Sequence, residues 1–267
     1  MSSVNWVLES DMFPTSHGPL RDAIRRAGHT IIDWSDDWLI DGAPVRLSSQ
    51  PTIFHGSLGN AAHVYENFDW KPGSFCDARK FCCSYWYKHY QPWLIHEKYA
   101  FTTVANLIEN TAEIASSIDS PHAIFVRPDS PLKPFSGRVV STTDLTPKAL
   151  DHGFYYDDLQ LPIVVAPVRN VGREWRFVVV NNKVITGSGY DATTRAAAVL
   201  RLDDSVSDFA TSIAAEVFEL CSAYVLDIGE CDGDLRLMEF NPLSGADLYA
   251  CDADAIITSV SALAQAR

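Results

Sequence analysis

Three side chains near the C-terminal end of the sequence are of the types that hold a hard cation: Asp227, Glu239 and Asn241. Asp227 lies near the end of the apolar run A-Y-V-L-D-I at 223–228, and Glu239 and Asn241 lie two apart in L-R-L-M-E-F-N. Between the runs stands C-D-G-D at 231–234, a turn signal, so the pair reads as an antiparallel hairpin. Side chains two apart in a strand share a face. With the turn centred on Asp232-Gly233, position 227 pairs close to 239, and three oxygen-bearing groups converge. Hard oxygen donors that enclose an ion incompletely suit Mg²⁺ bound to phosphates. The competing reading has the three capping turns at a solvated sheet end, and spacing alone leaves the two level.

Two further groups carry chemistry. Arg127, Lys133 and Arg138 place three cations within twelve residues of an acidic chain. Pro128, Pro131 and Pro134 stiffen the loop between them, and Gly137 allows close backbone approach to a ligand. Local positive charge on a strand–loop–strand unit suits a triphosphate; a solvated basic turn is the plainer alternative. In G-R-E-W-R-F, Glu174 and Arg176 alternate with Trp175 and Phe177, so the charged pair shares one face and the aromatics face the core. Glu174 can accept from ribose hydroxyls, and Arg176 can neutralise phosphate or a substrate carboxylate. A structural ion pair across a sheet is the plain reading of that pair.

The elements that must position these groups follow from periodicity. V-N-W-V-L at 4–8, a helix through Leu20, Ile24 and Ala27 stopped by Gly28, and T-I-I-D at 30–33 make a β-α-β opening. T-I-F-H at 52–55 is a third strand, and the G-S-L-G-N after it reads as a turn. Residues 75–120 read as mostly helical, with a helix at 103–118 and an aromatic-rich stretch from Phe81 to Phe101. Strands are expected at 123–127, 137–141, 162–168, 174–180 and 183–188, the last two joined by Asn181-Asn182 as a two-residue hairpin turn. A helix at 205–222, capped by Ser205, presents Val206, Phe209, Ile213, Val217 and Leu220 on one face. A last helix spans 252–265.

The net charge of −13 argues against a general nucleic-acid binder, which needs a broad basic surface. No run suits a membrane span, and the N-terminal residues lack a signal-peptide pattern, so a cytoplasmic location is expected. The six cysteines form no C-x-x-C pair, and the even spacing of Cys82, His89 and His96 matches no common zinc pattern.

Taken in order, the segments over roughly 121–250 resemble the ATP-grasp superfamily. The R-P-D…K-x-F-x-G and E-W-R-F texture is closest to a clade of small bacterial and phage ATP-grasp proteins. The resemblance implies α/β and α+β architecture: two α+β lobes clamping ATP, preceded by a small N-terminal α/β domain. The expected division is an N-terminal domain with a helical connector over 1–100 and an ATP-grasp domain over 101–267. The first lobe then covers about 121–165 and the second about 166–267. The resemblance makes the strand–loop–strand I-F-V-R-P-D-S-P-L-K-P-F-S-G-R-V-V at 124–140 a phosphate-covering flap, its mobile part at 128–137, with Arg127 in place of the usual strand lysine, Lys133 within the flap and Gly137 at its end. Val165, Ala166 and Val168 take the place of the hinge that reads adenine, and Glu174 that of the ribose ligand. Asp227, Glu239 and Asn241 map onto the magnesium ligands.

One departure stands out: the arginine expected two residues before the metal aspartate is Val225 here. Either Arg176 or Arg195 takes over or phosphoryl transfer is altered or lost; the first makes Arg176, Lys133 and Arg195 the candidate catalytic residues. Arg176, Ser188, Tyr190, Ser244, Gly245, Asp247 and Tyr249 are the candidate substrate residues. The implied activity is ATP- and Mg²⁺-dependent ligation of a carboxylate to an amine through an acylphosphate, on an amino acid, peptide or related metabolite. A kinase-like phosphotransferase and a non-catalytic nucleotide-binding module are the alternatives.

Overall fold

The computed structural model describes residues 3–10, 12–143, 145–191, 196–197 and 202–266. The chain opens with β1 (Asn5–Leu8), α1 (Pro14–Arg26), β2 (Thr30–Asp33), the one-turn α2 (Trp38–Asp41), β3 (Pro51–His55), α3 (Leu58–Asn67) and β4 (Lys71–Gly73). The strands make a parallel sheet in the order β2-β1-β3-β4. Parallel strands are covered on both faces, and β1 follows that rule: Trp6 and Leu8 enter one apolar cluster, Val7 another. The G-S-L-G-N segment is not a turn as its glycines suggest. It starts α3, with the Ser57 hydroxyl capping the helix by accepting from the Asn60 N–H.

The next elements are α4 (Cys83–Tyr90), β5 (Ala100–Thr103), α5 (Val104–Glu109), α6 (Thr111–Ser117), β6 (Ala123–Pro128), β7 (Arg138–Ser141) and β8 (Pro162–Pro167). An antiparallel sheet runs β5-β8-β6-β7 over a core that includes Leu107, Ile114, Ile124, Val126, Ile163 and Val165. The single helix expected over 103–118 is two helices, because Asn110 leaves helical geometry at φ −123°. The aromatic stretch packs on itself: Trp86, Tyr87 and Tyr90 are buried, with the Trp86 and Tyr87 rings 4.6 Å apart.

The remaining elements are β9 (Val171–Val180), β10 (Lys183–Asp191), β11 (Ala196–Ala197), α7 (Asp204–Ala214), β12 (Ala223–Cys231), β13 (Asp234–Pro242) and α8 (Ala253–Gln265). Their sheet has the order β11-β10-β9-β12-β13. Asn181 and Asn182 turn the β9–β10 hairpin with φ of +48° and +60°, the left-handed pair that such a tight turn requires.

Helix α7 ends at Ala214, well short of 222, and Val217 is 93% exposed. The chain must leave the helix there to enter β12 at Ala223, and it does so through short turns at Phe218 and Leu220. The cap is Asp203 and not Ser205: its carboxylate accepts from the Val206 N–H. Asp203→Ala is therefore expected to cost about 1 kcal/mol in denaturant unfolding, whereas Ser205→Ala leaves the midpoint nearly unchanged.

The chain forms two compact units, Met1–Asp77 together with Gly172–Arg267, and Ala78–Val171. In the first, Trp6, Leu8 and Ile53 share a core with Val178, Val180, Val225 and the α8 residues Ile256, Ile257 and Val260. The Trp6 indole N–H donates to the Ser261 hydroxyl at 3.1 Å inside it. Among the described residues no helix is long and apolar enough to cross a membrane.

Candidate functional site

Residues directly opposite one another in an antiparallel ladder point to the same side, as do residues two apart in one strand. Asp227 pairs with Glu239 and Val225 with Asn241 across β12–β13, while Arg176 pairs with Ser188 and Glu174 with Tyr190 across β9–β10. Glu174 and Arg176 thus share a face with Ser188 and Tyr190, as Asp227 does with Glu239 and Asn241. Hydrogen bonds join the two groups. Trp175 and Phe177, on the other side of β9, are buried. The apolar floor formed by Val178, Val180 and Val225 belongs to the core and gives way to this polar patch one pleat further along each strand. Val225 is fully buried in that floor, so no charged group stands at the position.

At the centre is an ion pair. Arg176 Nε donates to Asp227 Oδ1 at 2.8 Å and Nη2 donates to Oδ2 at 2.7 Å, while Nη1 donates to the Asp247 carbonyl oxygen at 2.7 Å. The parallel fork matches the carboxylate edge, the strongest geometry for such a pair. Both side chains are almost wholly buried, at 8% and 1% exposure. The guanidinium also lies over two rings, 5.6 Å from the Tyr190 centroid and 5.0 Å from that of Tyr249. Those rings stack on each other at 4.8 Å with planes 10° apart. Burial works to lower the Arg176 pKa, but the Asp227 charge and its hydrogen bonds hold it above the ordinary value. Burial, and then the carboxylates of Asp227 and Glu174, push the Tyr190 phenol up, so it keeps its proton and its O–H donates to the Glu174 carboxylate.

The metal-type residues join this pair. Asn241 Nδ2 donates to Asp227 Oδ2 at 3.0 Å and to Glu239 Oε1 at 2.9 Å, linking the two carboxylates. Glu239 is half-buried. Among the described residues no cluster of three or more His, Cys, Asp or Glu side chains is placed to hold a metal ion.

The loop after β13 is held by backbone bonds that no local pattern announces. The Ser244 hydroxyl accepts from the Phe75 N–H at 2.9 Å, and the Gly56 N–H donates to the Ser244 carbonyl at 2.9 Å. A Cβ on Gly245 would come within 2.5 Å of the Leu58 side chain and 3.0 Å of its Cα, so glycine there serves packing against α3. The Ser188 hydroxyl accepts from the Ala250 N–H at 3.3 Å. Ser188, Ser244 and Gly245 thus shape the loop, while Asp247 and Tyr249 close on Arg176.

In the second unit, Arg127 lies on β6 and Lys133 in the following loop at φ +50°, both half-buried. Gly137 is explained by its own sheet: a Cβ there would meet the Phe125 ring at 2.8 Å. Val165 and Ala166 are fully buried in β8, which has a strand on each side, whereas Val168 lies just past the strand and is 41% exposed. Arg195 lies outside the described residues.

A histidine pair went unread in the sequence because its members, His17 and His55, are far apart in it. His17 Nε2 and His55 Nδ1 are 2.9 Å apart, and His55 Nε2 is 3.1 Å from the Ala246 carbonyl oxygen. Burial first, and then the charge of His17, lower the His55 pKa to about 3. An unfolded histidine titrates near 6.5, so between these two pH values the unfolded chain binds the extra proton. The contribution of neutral His55 is therefore full above 6.5 and is lost as pH falls toward 3, at about 1.4 kcal/mol per pH unit. Burial likewise lowers His96, to about 4, and adds to the same trend. Urea midpoints measured from pH 7 down to 5 are expected to fall, less steeply in His55→Gln.

A family model of the ATP-grasp domain, family 2 of one ATP-grasp clade, matches residues 102–258, more than half of the chain. No curated protein matches the sequence. Among solved structures, D-cycloserine synthetase DcsG is 13% identical at a TM-score of 0.68, with 98% of this chain and 100% of that one covered. A RiPP-associated ATP-grasp ligase from Chryseobacterium gregarium, in complex with ADP and a leader and core peptide, is 11% identical at 0.60, covering 99% and 97%. D-alanine–D-alanine ligase from Bacillus anthracis is 12% identical at 0.59, covering 99% of each chain. At such identities the likeness establishes the fold, which is the ATP-grasp fold.

Proposed function

This chain belongs to the ATP-grasp domain family, and on that basis we propose that it is an ATP-dependent carboxylate–amine ligase working through an acylphosphate. Its substrate class is an amino acid, a peptide or a related small metabolite. The observation that carries the reading is the gathering of Asp227, Glu239 and Asn241 around the Arg176 ion pair.

The donor set fits magnesium. Mg²⁺ keeps several waters and takes one or two carboxylates alongside substrate phosphates, which is what Asp227, Glu239 and the Asn241 carbonyl oxygen offer. When bound, the metal supplies charge neutralisation at the phosphates. The remaining work falls to the chain. Arg176 fixes the Asp227 carboxylate and brings permanent positive charge beside the position where Val225 brings none. Asn241 spaces the two carboxylates. Arg127 and Lys133 serve the nucleotide phosphates, with Gly137 at the end of the flap. Glu174 serves the ribose, and the backbone at Val165, Ala166 and Val168 serves adenine. Asp247, Tyr249 and Tyr190 border the substrate, on a loop whose shape depends on Ser188, Ser244 and Gly245. Catalysis is then positioning and electrostatics with little covalent work by the protein.

The division that goes with this reading is a pre-ATP-grasp α/β domain with its connector over 1–100 and lobes over about 121–165 and 166–267. Peptide substrates draw support from the related ligase whose complex holds a leader and core peptide. The deciding measurement is ADP and phosphate release from ATP·Mg²⁺ with a broad pool of carboxylates and amines. Substrate-stimulated release supports ligation. A stable phosphorylated product supports the kinase-like alternative, and tight nucleotide binding without turnover sinks both enzyme readings.

A further inference from the structure

The first sheet reverses its strand order between β1 and β3, and in open α/β sheets the crevice at the carboxyl ends of such strands is where ligands sit. At that end of the sheet, one strand to the side of the switch, a cavity of about 500 Å³ opens where β1 and β2 end against α1, lined by Ser10, Pro14, His17, Gly18, Arg21 and Asp33. Among the described residues its polar wall holds one charge of each sign. Arg21 donates to the Asp33 carboxylate and, at 3.2 Å, to the Ser10 hydroxyl, which donates to the same carboxylate at 3.2 Å. The pair reaches solvent, with 67% of the Asp33 side chain exposed. An ion pair in water holds its partners weakly, so each is open to exchange for a ligand group of the same sign.

A surface ion pair does not account for His17. A carbonyl oxygen only accepts, so His55 carries its proton on Nε2 to bond Ala246, and its Nδ1 accepts in turn. The proton between the rings therefore belongs to His17 Nε2, and the neutral His17 ring keeps a bare lone pair on Nδ1. That nitrogen is buried and has no hydrogen-bond partner among the described residues. A buried acceptor without a donor is an unfavourable state that a ligand N–H relieves. The chain of bonds also reaches the site already described. His55 holds the Ala246 carbonyl and Arg176 holds the next one, Asp247, so one short loop joins the two places.

We propose that this crevice binds the zwitterionic end of a free α-amino acid, with its carboxylate on Arg21 and its ammonium on Asp33 and His17 Nδ1. The assignment rests on the ligase reading for the amino acid's role as the amine substrate, though the binding itself does not require turnover.

Calorimetric titration of the full chain, without nucleotide, with each proteinogenic amino acid and its D-enantiomer tests it. At least one is expected to bind, and to bind about tenfold or more weakly to Arg21→Gln and to Asp33→Asn, since each variant removes a charge-assisted bond. For the amino acid that binds, the analogues lacking its carboxylate or its amine are expected to bind no better than to those variants. Both side chains reach solvent, and unchanged melting of the variants checks that they fold. In ¹⁵N-histidine-labelled protein the His17 Nδ1 resonance is expected to move from a bare to a hydrogen-bonded position on binding. No amino acid binding, equal binding by both variants, equal binding of the half-ligands, or an unmoved His17 signal overturns the site. Binding without ADP release leaves the crevice standing and removes the ligase reading; ADP release that Arg21→Gln and Asp33→Asn leave unchanged removes the crevice's role as the amine site and leaves the ligase reading standing.

Discussion

Arg176→Met is expected to destabilise the protein by about 3–5 kcal/mol, the largest single effect of any substitution in the site. The cause is Asp227, which is 1% exposed and would lose this counter-charge while remaining in the core. An ionised carboxylate without its bidentate partner is costly there. Arg176→Lys keeps the charge but loses the fork that bonds both Asp227 oxygens and the Asp247 carbonyl, so it falls between wild type and methionine. The double variant Arg176→Met/Asp227→Leu removes both charges and is expected to recover much of the loss, because a buried pair contributes less than the penalty of breaking it. Urea unfolding of the four proteins measures this. A loss below about 1 kcal/mol for Arg176→Met would show that Asp227 is not held by this pair.

Glu239→Ala is expected to do the opposite: to leave stability close to wild type and remove magnesium-dependent nucleotide binding or turnover. Glu239 is half-buried, and in the fold it accepts a bond from Asn241 at 2.9 Å. Its loss would take away a ligand to an ion that contributes several kcal/mol of charge stabilisation, a reduction on the order of a hundredfold or more. Nucleotide affinity measured against magnesium concentration, with Glu239→Gln as the uncharged isostere, checks the expectation. An alanine variant with unaltered magnesium dependence removes Glu239 from the metal site. On this reading Arg176 on β9 holds the site together, and Glu239 on β13 meets the ion.

Much of this was legible in the sequence, for a local reason. Strand alternation is set by the backbone, so the spacing of Glu239 and Asn241 placed them on one face, and the C-D-G-D turn brought Asp227 near them. The turn's own register would pair position 227 with Met238; an irregularity between Asp227 and Ile228 shifts it by one and sets Asp227 opposite Glu239, which no local pattern announced. The Asn181-Asn182 hairpin was readable because both residues tolerate left-handed geometry. The helix ends were not. Periodicity ran past Ala214 to Leu220, but the entry to β12 decided where α7 stops, and Asp203 outcompeted Ser205 as its cap. Over 103–118 the apolar pattern continued through Asn110, whose backbone turns aside.

The candidate site divides in the same way. The order of residues was enough for the ATP-grasp resemblance, for the oxygen donors on β12–β13 and for the alternation that turns Glu174 and Arg176 away from Trp175 and Phe177. What Arg176 does was settled by folding, because its partners Asp227 and Asp247 come from segments 51 and 71 residues away. Folding also brought the first strands and the last helix into one core, set Ser244 and Gly245 to the loop's own packing, and put His17 against His55. Periodicity reports the face a side chain takes on its own strand or helix. Which groups then meet depends on how those faces are buried against each other, and that is a property of the folded chain.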